Sequence, residues 1–262
     1  MAASDTLEQA EQNRLLQRLV DSMFVPEYIE DNFEVIEIIG KGGFGIVKKV
    51  KDLSTGELGA MKTLPFDPDG KANRNLKREF STIAKLRSHE NIVRLLHVFR
   101  GKDNKLHMVM ELCDEDLTRY MATEESQWDS TRLSVARQVA RGLEVLHSQN
   151  PPIVHRDIKP QNILIVKGPS ANDVIAKLAD FGISTSEIDA SSTNTAGGPI
   201  LLTNAPSGTE PYMPPECYAA MEGVGLKDGK FCFDASLDIF ALGLVYLYIF
   251  CYNDSRYGEL DI

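Results

Sequence analysis

The sequence predicts an α+β fold, with strands concentrated in the first 112 residues and helices in the remainder. Up to Leu112, short apolar segments rich in β-branched residues recur between turns that contain Gly and Asp. Beyond Leu112 the apolar spacing becomes helical, most clearly at 129–147 and 238–250. A charged segment at 75–87 with one apolar side predicts a single helix within the strand-rich part.

Composition and charge restrict the class of protein. The chain has 262 residues, of which 43% are hydrophobic, as in a globular protein of one or two domains. The net charge of -10 gives no support to a nucleic-acid partner. The four cysteines lack metal-ligand spacing, which indicates free thiols in a reducing compartment, so we expect an intracellular, cytoplasmic protein.

No segment of the sequence is typical of secretion or of a membrane span. The N-terminus, 1–5, has no basic region followed by an apolar core, so it does not resemble a signal peptide. The longest apolar run, 239–251, has 13 residues, whereas a membrane span needs about 20. We therefore expect a buried helix there and no membrane span.

The first 32 residues are predicted to be an extension with one helix. Apolar residues bunch on one helical face of 5–24, and Val25-Pro26 ends the pattern. We expect this helix to flank the domain. A helix that binds a partner is the alternative, and the sequence does not identify that partner.

Further elements follow from the same patterns. Short strands are expected at 33–39, 48–51, 58–64, 92–99, 106–112, 153–154, 163–166 and 174–178, and additional helices at 114–121 and 129–147. Residues 184–209 are rich in Ser, Thr, Gly, Asn and Pro, which predicts a mobile loop.

Polar chemistry is concentrated in one eight-residue stretch, His155-Arg156-Asp157-Ile158-Lys159-Pro160-Gln161-Asn162. It holds a carboxylate, two cations, an imidazole and a carboxamide, and it lies between the apolar runs 153–154 and 163–166. Side chains tethered between buried strands are held in place, which is what a reaction centre requires.

A glycine-rich turn predicts a phosphate cradle. Gly40, Gly42 and Gly45 lie between two strands, without the following helix of a dinucleotide-binding unit. Glycine lets backbone N–H groups approach phosphate oxygens, and Lys62, one strand later, can reach such oxygens as a point charge. Glu79 is the natural counter-ion. The alternatives are a plain hairpin, a solvent-facing lysine and a solvated helix carboxylate.

Three oxygen-bearing side chains suit a divalent cation. Asp157 and Asn162 share one loop, and Asp180 follows on a separate Asp-Phe-Gly turn. Carboxylate and carboxamide oxygens are hard ligands of the kind that Mg²⁺ binds together with substrate phosphates.

This set of motifs resembles the eukaryotic protein kinase family, serine/threonine type. The matching elements, in the family's order, are the glycine loop 40–47, Lys62 with Glu79, the catalytic loop 155–162, the metal loop 180–182, Pro214-Pro215-Glu216 where Ala-Pro-Glu is usual, and Asp238 at the core helix. The resemblance implies a two-lobed kinase domain at 33–262. Its small lobe, 33–112, would be an antiparallel sheet plus one helix, and its larger lobe, 113–262, mainly helical.

The resemblance also implies roles for individual residues in phosphoryl transfer from ATP. Asp157 would orient the acceptor hydroxyl and take its proton, and Lys159 would neutralise charge on the moving phosphoryl group. Asn162 and Asp180 would hold Mg²⁺, while Lys62 and its partner Glu79 complete the catalytic set. The implied ATP contacts are Ile39, Gly40, Lys41, Gly42, Gly43, Phe44, Gly45, Val47, Ala60, Lys62, Met110, Glu111, Cys113 and Leu164.

Control of activity is expected in the segment 180–216. Arg156 precedes Asp157, and in this family that arginine often couples activity to a phosphate on the activation loop. We hypothesise that an upstream kinase phosphorylates a residue among 191–207 and that the phosphate pairs with Arg156. A long loop without a switch is the alternative. Thr209 is expected to contact Asp157 and not to be modified.

The function implied by the resemblance is an ATP-dependent kinase that phosphorylates Ser and Thr hydroxyls of protein substrates. Family members continue with further helices, whereas this sequence stops at Ile262, so we expect a larger lobe that lacks its last helices and an uncovered apolar surface at 238–250. A non-catalytic fragment that binds nucleotide or a partner is therefore the second hypothesis. A small-molecule phosphotransferase is the third.

Overall fold

The protein is described by a computed structural model over residues 30–42, 45–65, 86, 89–101, 105–123, 128–170, 173–181, 188–193, 199–203 and 206–252. The helices expected at 5–24 and 75–87 lie outside these residues, apart from Leu86. The chain forms two compact units with a boundary between Leu112 and Cys113, and His89–Ile92 belongs to the second unit.

The first unit is built on a five-stranded antiparallel sheet. Its strands are β1 (Phe33–Gly42), β2 (Gly45–Asp52), β3 (Leu58–Pro65), β4 (Leu95–Arg100) and β5 (Lys105–Glu111), in the order β1-β2-β3-β5-β4. The strand expected from Ile92 begins instead at Leu95. Ile92 forms a parallel bridge with Leu178 in the second unit, so it is not available to this sheet.

Strand β1 contains two irregularities that explain its uneven apolar pattern. Its register against β2 shifts between Val35 and Glu37 and again between Ile38 and Gly40. Each β-bulge inserts one extra residue, which moves the following side chains to the other face of the sheet.

One face of this sheet carries the core of the first unit. Phe33, Val50, Met61, Phe99 and Val109 are buried together there. The rings of Phe33 and Phe99 stack with their centroids 5.4 Å apart. Burial of aromatic and aliphatic surface of this kind is the main source of stability in a small sheet.

The second unit contains four α-helices among the described residues: α1 (Leu117–Thr123), α2 (Trp128–His147), α3 (Pro215–Met221) and α4 (Ser236–Cys251). A small sheet is formed by β6 (Glu115–Asp116), β7 (Ile163–Lys167) and β8 (Val174–Leu178). The helix expected from Asp114 therefore begins later, because Glu115 and Asp116 pair with β7.

A polar network ties the segment around Asn91 to α2 and β8. The Asn91 side-chain amide donates to Gln138 Oε1 and to the carbonyl of Ala176, both at 3.0 Å. Gln138 Oε1 also accepts from the Ala176 N–H at 2.9 Å, and Gln138 Nε2 donates to the Val174 carbonyl at 2.9 Å. Because each buried polar atom has a partner, the network specifies how these three segments fit together.

The segment predicted as a mobile loop, 184–209, contains two strands, so that prediction is wrong over those residues. Strands β9 (Ile188–Thr193) and β10 (Pro199–Thr203) join β11 (Leu226–Lys227) and β12 (Lys230–Phe233) in a sheet of order β11-β12-β10-β9. The polar composition of the segment gave no sign of these strands, and β12, the partner of β10, lies beyond α3 in the chain.

The pair Ile153-Val154 was expected to be a short strand, and this prediction is also wrong. Both residues are buried, at 1% and 0% exposure, but they belong to no named strand. The Ile153 N–H donates instead to the Leu146 carbonyl at the end of α2, at a distance of 3.0 Å. Two adjacent apolar residues can be buried in a loop as well as in a strand, so their apolar character alone does not indicate a strand.

None of the four cysteines forms a disulfide bond, as the sequence predicts. Cys217 is buried, and burial, together with the charge of Glu216, raises the pKa of its thiol to about 11.

None of the helices in the described parts of the chain combines the length and apolar character that crossing a membrane requires.

Candidate active site

The polar stretch 155–162 connects α2 to β7 in the second unit. Its carboxylate, Asp157, is buried, with only 4% of the residue exposed. A 3-10 turn, Pro160–Asn162, follows directly and leads into β7. The loop is therefore short and held at its carboxyl end by the sheet β6-β7-β8.

The carboxylate of Asp157 is surrounded by three donors. Thr209 Oγ1 donates to Asp157 Oδ1 at 2.7 Å, and Lys159 Nζ lies 2.8 Å from Oδ2. Asn162 Nδ2 also donates to Oδ2, at 2.8 Å. Lys159 Nζ in turn donates to Thr209 Oγ1 at 2.6 Å, so these groups form one network. The contact expected between Thr209 and Asp157 is present.

This network sets the charge state of Asp157. Burial raises the pKa of the carboxyl group, but hydrogen bonds from Lys159 and Thr209 and the positive charge of Lys159 outweigh burial. The net effect is a pKa below the ordinary value. Asp157 is therefore a carboxylate at neutral pH, with both oxygens directed by fixed donors.

The geometry of Asn162 and its neighbours suits a hard cation. Its side-chain nitrogen donates to the main-chain carbonyl and to Oδ2 of Asp157, both at 2.8 Å. The amide oxygen is thus the atom of Asn162 that can bind a cation. The Ala179 N–H donates to the Asn162 carbonyl at 2.9 Å, which puts Asp180 one residue from this contact. The side-chain oxygens of Asn162 and Asp180 are therefore ligands of the kind that fits Mg²⁺.

Asp180 has a backbone conformation that few residues adopt. Its φ is 61°, in the left-handed region, and it lies directly after Ala179. Such conformations cost about 1–3 kcal/mol each and persist only where the surroundings over-determine them. Among the described residues, no group of three or more His, Cys, Asp or Glu could hold a metal ion, so a cation here needs further ligands such as phosphate oxygens or water.

His155 links the catalytic loop to the segment of Asp180. Its Nε2–H donates to the Ala179 carbonyl at 3.0 Å, and its Nδ1 accepts from the Asp157 N–H at 3.3 Å. The His155 and Phe181 rings are in contact, with centroids 4.9 Å apart, and both residues are fully buried. His155 is thus a structural connector in this unit.

Asp238, near the start of α4, holds the loop 155–162 through hydrogen bonds to two of its backbone N–H groups. Its carboxylate accepts the His155 and Arg156 N–H groups, both at 2.8 Å, and it lies 2.8 Å from His147 Nε2. Asp238 is 1% exposed. Arg156 has a φ of 72°, and the hydrogen bond to Asp238 helps to hold that strained backbone.

The side chain of Arg156 is held separately from its backbone. Its guanidinium donates to Ser207 Oγ, and its Cζ lies 5.3 Å from the centroid of the Phe233 ring. Ser207 precedes the Gly208-Thr209 pair, and Phe233 ends β12. Arg156 thus touches two segments outside its own loop.

In the first unit, four of the predicted nucleotide contacts share one face of the sheet. Val47 pairs with Lys62 across β2 and β3, and Ala60 pairs with Met110 across β3 and β5. Residues directly opposite in an antiparallel pair lie on the same face, as do residues two apart in a strand. This face is therefore opposite to the one that carries Met61 and Val109 in the core.

The lysine on that face is well buried. Lys62 is 5% exposed, while Val47, Ala60 and Met110 are partly exposed. A lysine is seldom buried unless its charge is compensated. Gly45, where the hairpin re-enters β2, has a φ of 117°, a conformation that glycine adopts far more easily than other residues.

The remaining predicted residues are distributed as follows. Gly43, Phe44 and Glu79 lie outside the described residues, so the expected pairing of Glu79 with Lys62 stays a prediction. Ile39, Gly40, Lys41 and Gly42 belong to β1, and Glu111 ends β5, where its Oε1 accepts the Arg94 N–H at 2.7 Å. Cys113 and Leu164 belong to the second unit, and Leu164 is in β7.

Sequence reasoning missed three contributions to this site. The burial of the Asp238 carboxylate under the loop was not expected, although an aspartate near the start of an apolar helix is a signal for such a role. The bond from Lys159 to Thr209 was not expected either. The contact of Phe233 with Arg156 had no signal in the sequence, because β12 itself was not predicted.

Comparison with known proteins identifies the family. The family model for the protein kinase domain matches residues 33–258. The chain is 29% identical over 238 residues to serine/threonine-protein kinase tousled-like 2 of Xenopus tropicalis and, to the same degree, to that of Homo sapiens, with 88% of this chain covered. It is 30% identical over 227 residues to an Aurora kinase of Yarrowia lipolytica, with 86% covered. The chain belongs to the protein kinase domain family.

These matches cover only part of the relatives. The aligned region is 32% of the Xenopus protein, 29% of the human protein and 53% of the Yarrowia protein. The chain therefore spans about a third of the tousled-like relatives that it matches and about half of the Aurora relative.

Proposed function

We propose that the chain is a protein serine/threonine kinase that transfers the γ-phosphoryl group of ATP to Ser and Thr hydroxyls of protein substrates. The single observation that carries this proposal is the carboxylate of Asp157, held by Lys159, Thr209 and Asn162. A fixed, ionised carboxylate beside a lysine is suited to orient a hydroxyl for in-line attack on a phosphoryl group.

The lowered pKa of Asp157 bears on its role. A carboxylate with a low pKa is a weak base, so its main contribution is to orient the acceptor hydroxyl, and it accepts the proton as the new P–O bond forms. Lys159, 2.8 Å from Asp157, then offers a positive charge for the transferred group. The name of the tousled-like relatives, serine/threonine-protein kinase, supports Ser and Thr as acceptors.

Nucleotide and metal binding follow from the two parts of the chain. In the first unit, the face with Val47, Ala60 and Lys62 offers an apolar surface and one buried cation for a nucleotide. In the second, Asn162 and Asp180 would hold Mg²⁺, which supplies charge neutralisation on the phosphates when bound. Both ligands are inferred from the chemistry of these side chains.

A phosphotransfer assay tests the proposal. The full chain is incubated with radiolabelled Mg-ATP and a generic protein substrate, and Asp157→Asn and Lys62→Met are the matched controls. We expect each variant to label the substrate about 10²- to 10⁴-fold more slowly, with label on Ser and Thr. Equal labelling by wild type and Asp157→Asn contradicts the proposal.

The same assay separates the two other hypotheses. A chain that binds nucleotide without catalysis would gain thermal stability from Mg-ATP while wild type and Asp157→Asn label the substrate equally. A small-molecule phosphotransferase would consume ATP in the presence of hydroxylated metabolites and leave protein substrates unlabelled.

Phosphorylation of Ser207 is proposed as one control of this activity. The Ser207 hydroxyl already accepts a hydrogen bond from Arg156, and a phosphate there would form a charge-assisted pair with the same guanidinium. We expect an upstream kinase to modify it, and phosphosite mapping of active protein to find Ser207 modified. Active protein that carries no phosphate on Ser207 would contradict this.

A further inference from the structure

The ring of Phe233 is placed against the cation next to the proposed catalytic aspartate. The Cζ atom of Arg156 lies 5.3 Å from the ring centroid, within the range of a cation–π contact. Arg156 immediately precedes Asp157 in the chain. A displacement of Arg156 therefore also shifts Asp157, the residue proposed to orient the acceptor hydroxyl, because one peptide bond joins the two residues.

Phe233 is itself rigidly held. It is 6% exposed, and its ring stacks on that of Phe231 with centroids 5.5 Å apart and planes 19° apart. Its backbone pairs with Leu201 of β10, and it belongs to a buried cluster that includes Val154 and Met213. A ring fixed on this many sides is a firm support for the guanidinium that it contacts.

The backbone of Arg156 needs such support. Its φ of 72° is in the left-handed region, and the Asp238 carboxylate holds its N–H at 2.8 Å. Asp238 and Phe233 lie close together in the chain, one near the start of α4 and the other at the end of β12. One segment of the protein therefore holds both the backbone and the side chain of Arg156.

We propose that Phe233 is a positioning residue for phosphoryl transfer, which acts by holding the Arg156 guanidinium and thereby the loop that carries Asp157. This inference rests on the proposed kinase function. It assigns to the β11-β12-β10-β9 sheet a role in catalysis, because that sheet presents the ring to the catalytic loop. Phe233 acts through Arg156, so it is a positioning residue and not a catalytic one.

The test compares two phenylalanines of the same strand in the full chain. Phe233→Leu keeps an apolar side chain but removes the aromatic face, and Phe233→Tyr keeps the face. Phe231→Leu is the matched control, because Phe231 belongs to the same buried cluster, whereas the ring that Arg156 contacts is that of Phe233. Without the Phe231 ring, Phe233 keeps its backbone pairing with Leu201 and its place in the cluster. We expect kcat to fall about 5- to 30-fold in Phe233→Leu, with KM for ATP within about twofold, and to be kept in Phe233→Tyr. Phe231→Leu should keep kcat within about twofold while losing similar thermal stability.

A spectroscopic measurement decides the inference independently of activity. In wild type, the Arg156 Nε–H signal, assigned with Arg156→Lys, should carry a ring-current shift that Phe233→Leu abolishes and Phe231→Leu retains. The amide signal of Asp157 should move in Phe233→Leu alone.

The outcomes for the inference and for the proposed function are distinguishable. Equal kcat losses in the two leucine variants, or identical Asp157 amide signals in both, would overturn the role of Phe233. If the wild-type chain transfers no phosphate, the proposed function fails, and the amide and Nε–H signals alone decide whether Phe233 positions the loop.

Discussion

At Asp157, burial and hydrogen bonding act on the same carboxyl group in opposite directions. Burial raises its pKa, while Lys159 and Thr209 lower it by stabilising the charged form. The donors prevail, so the folded-state pKa lies below the unfolded value. The corresponding stability is present above the unfolded pKa and is lost as the pH falls through the lower folded-state pKa.

Removal of the Thr209 hydroxyl should therefore change how Asp157 titrates. In Thr209→Val one donor to Asp157 is lost, burial is less opposed, and the pKa of Asp157 should rise. We expect the acid limb of the kcat/KM profile, and the carboxyl carbon signal of Asp157 in NMR, to move to higher pH. Thr209→Ser keeps the donor and should titrate like wild type. Indistinguishable titrations of the Val and Ser variants would show that the hydroxyl does not stabilise the carboxylate.

At the level of single residues, the resemblance indicated candidate site residues only where the information was local. The loop 155–162 could be recognised because its chemical groups are adjacent in the sequence. The bonds from His155 and Arg156 to Asp238 join residues 83 and 82 positions apart, and no local pattern reports such a distance. The roles proposed for the site residues, Lys62 and Glu79 included, stay predictions.

At the scale of elements, two helical glycines illustrate how packing reverses an intrinsic preference. A Cβ added to Gly142 in α2 would lie 2.9 Å from the Asn91 carbonyl oxygen and 2.9 Å from a methyl carbon of Leu178. A Cβ added to Gly243 in α4 would meet no atom within 4 Å. Alanine is otherwise the better helix former by about 1 kcal/mol.

The two alanine variants should therefore shift stability in opposite directions. Gly243→Ala should raise the free energy of unfolding by about 0.5–1 kcal/mol. Gly142→Ala should lower it by about 1–3 kcal/mol, because β8 or the Asn91 segment must move. Denaturant titration of both variants measures the difference. Stabilisation by Gly142→Ala would mean that the contact with Asn91 is looser than the distances indicate.

Elements with a regular apolar period were predicted well, and those that depend on a distant partner were not. The helices α2 and α4 and the strand β8 lie where the periodicity indicated. Strands β9 and β10 were predicted as a loop, because the surrounding segment 184–209 is rich in polar residues, Gly and Pro and because the pairing of β10 with β12 depends on the fold. Strand formation is more sensitive to context than helix formation.

At the scale of the whole molecule, α4 carries both buried and exposed apolar residues. Val245 and Ile249 are fully buried, whereas Ile239 is 53% and Leu247 is 46% exposed. Exposed apolar surface of this kind promotes association between molecules. The helix therefore has a buried side and an exposed side, and both sides carry apolar residues.

Lysine substitutions on the two sides of α4 should have different effects. Leu247→Lys should reduce self-association, measured by light scattering, and should leave the melting temperature almost unchanged. Ile249→Lys places a charge in the core and should destabilise the protein by more than about 4 kcal/mol. Equal loss of stability in both variants would show that the Leu247 side is covered in solution.

The family, the α+β class and the chemical groups of the catalytic loop could all be obtained from residue order, because apolar periodicity and short motifs are local properties of a chain. The contacts that support that loop could not be obtained from residue order. Asp238 and Phe233 reach Arg156 only after α4 and β12 have taken their places, and such long-range contacts depend on how the whole second unit is packed. The sequence alone therefore identified Asp157 as the candidate aspartate. The tertiary structure decided how the loop that carries it is held.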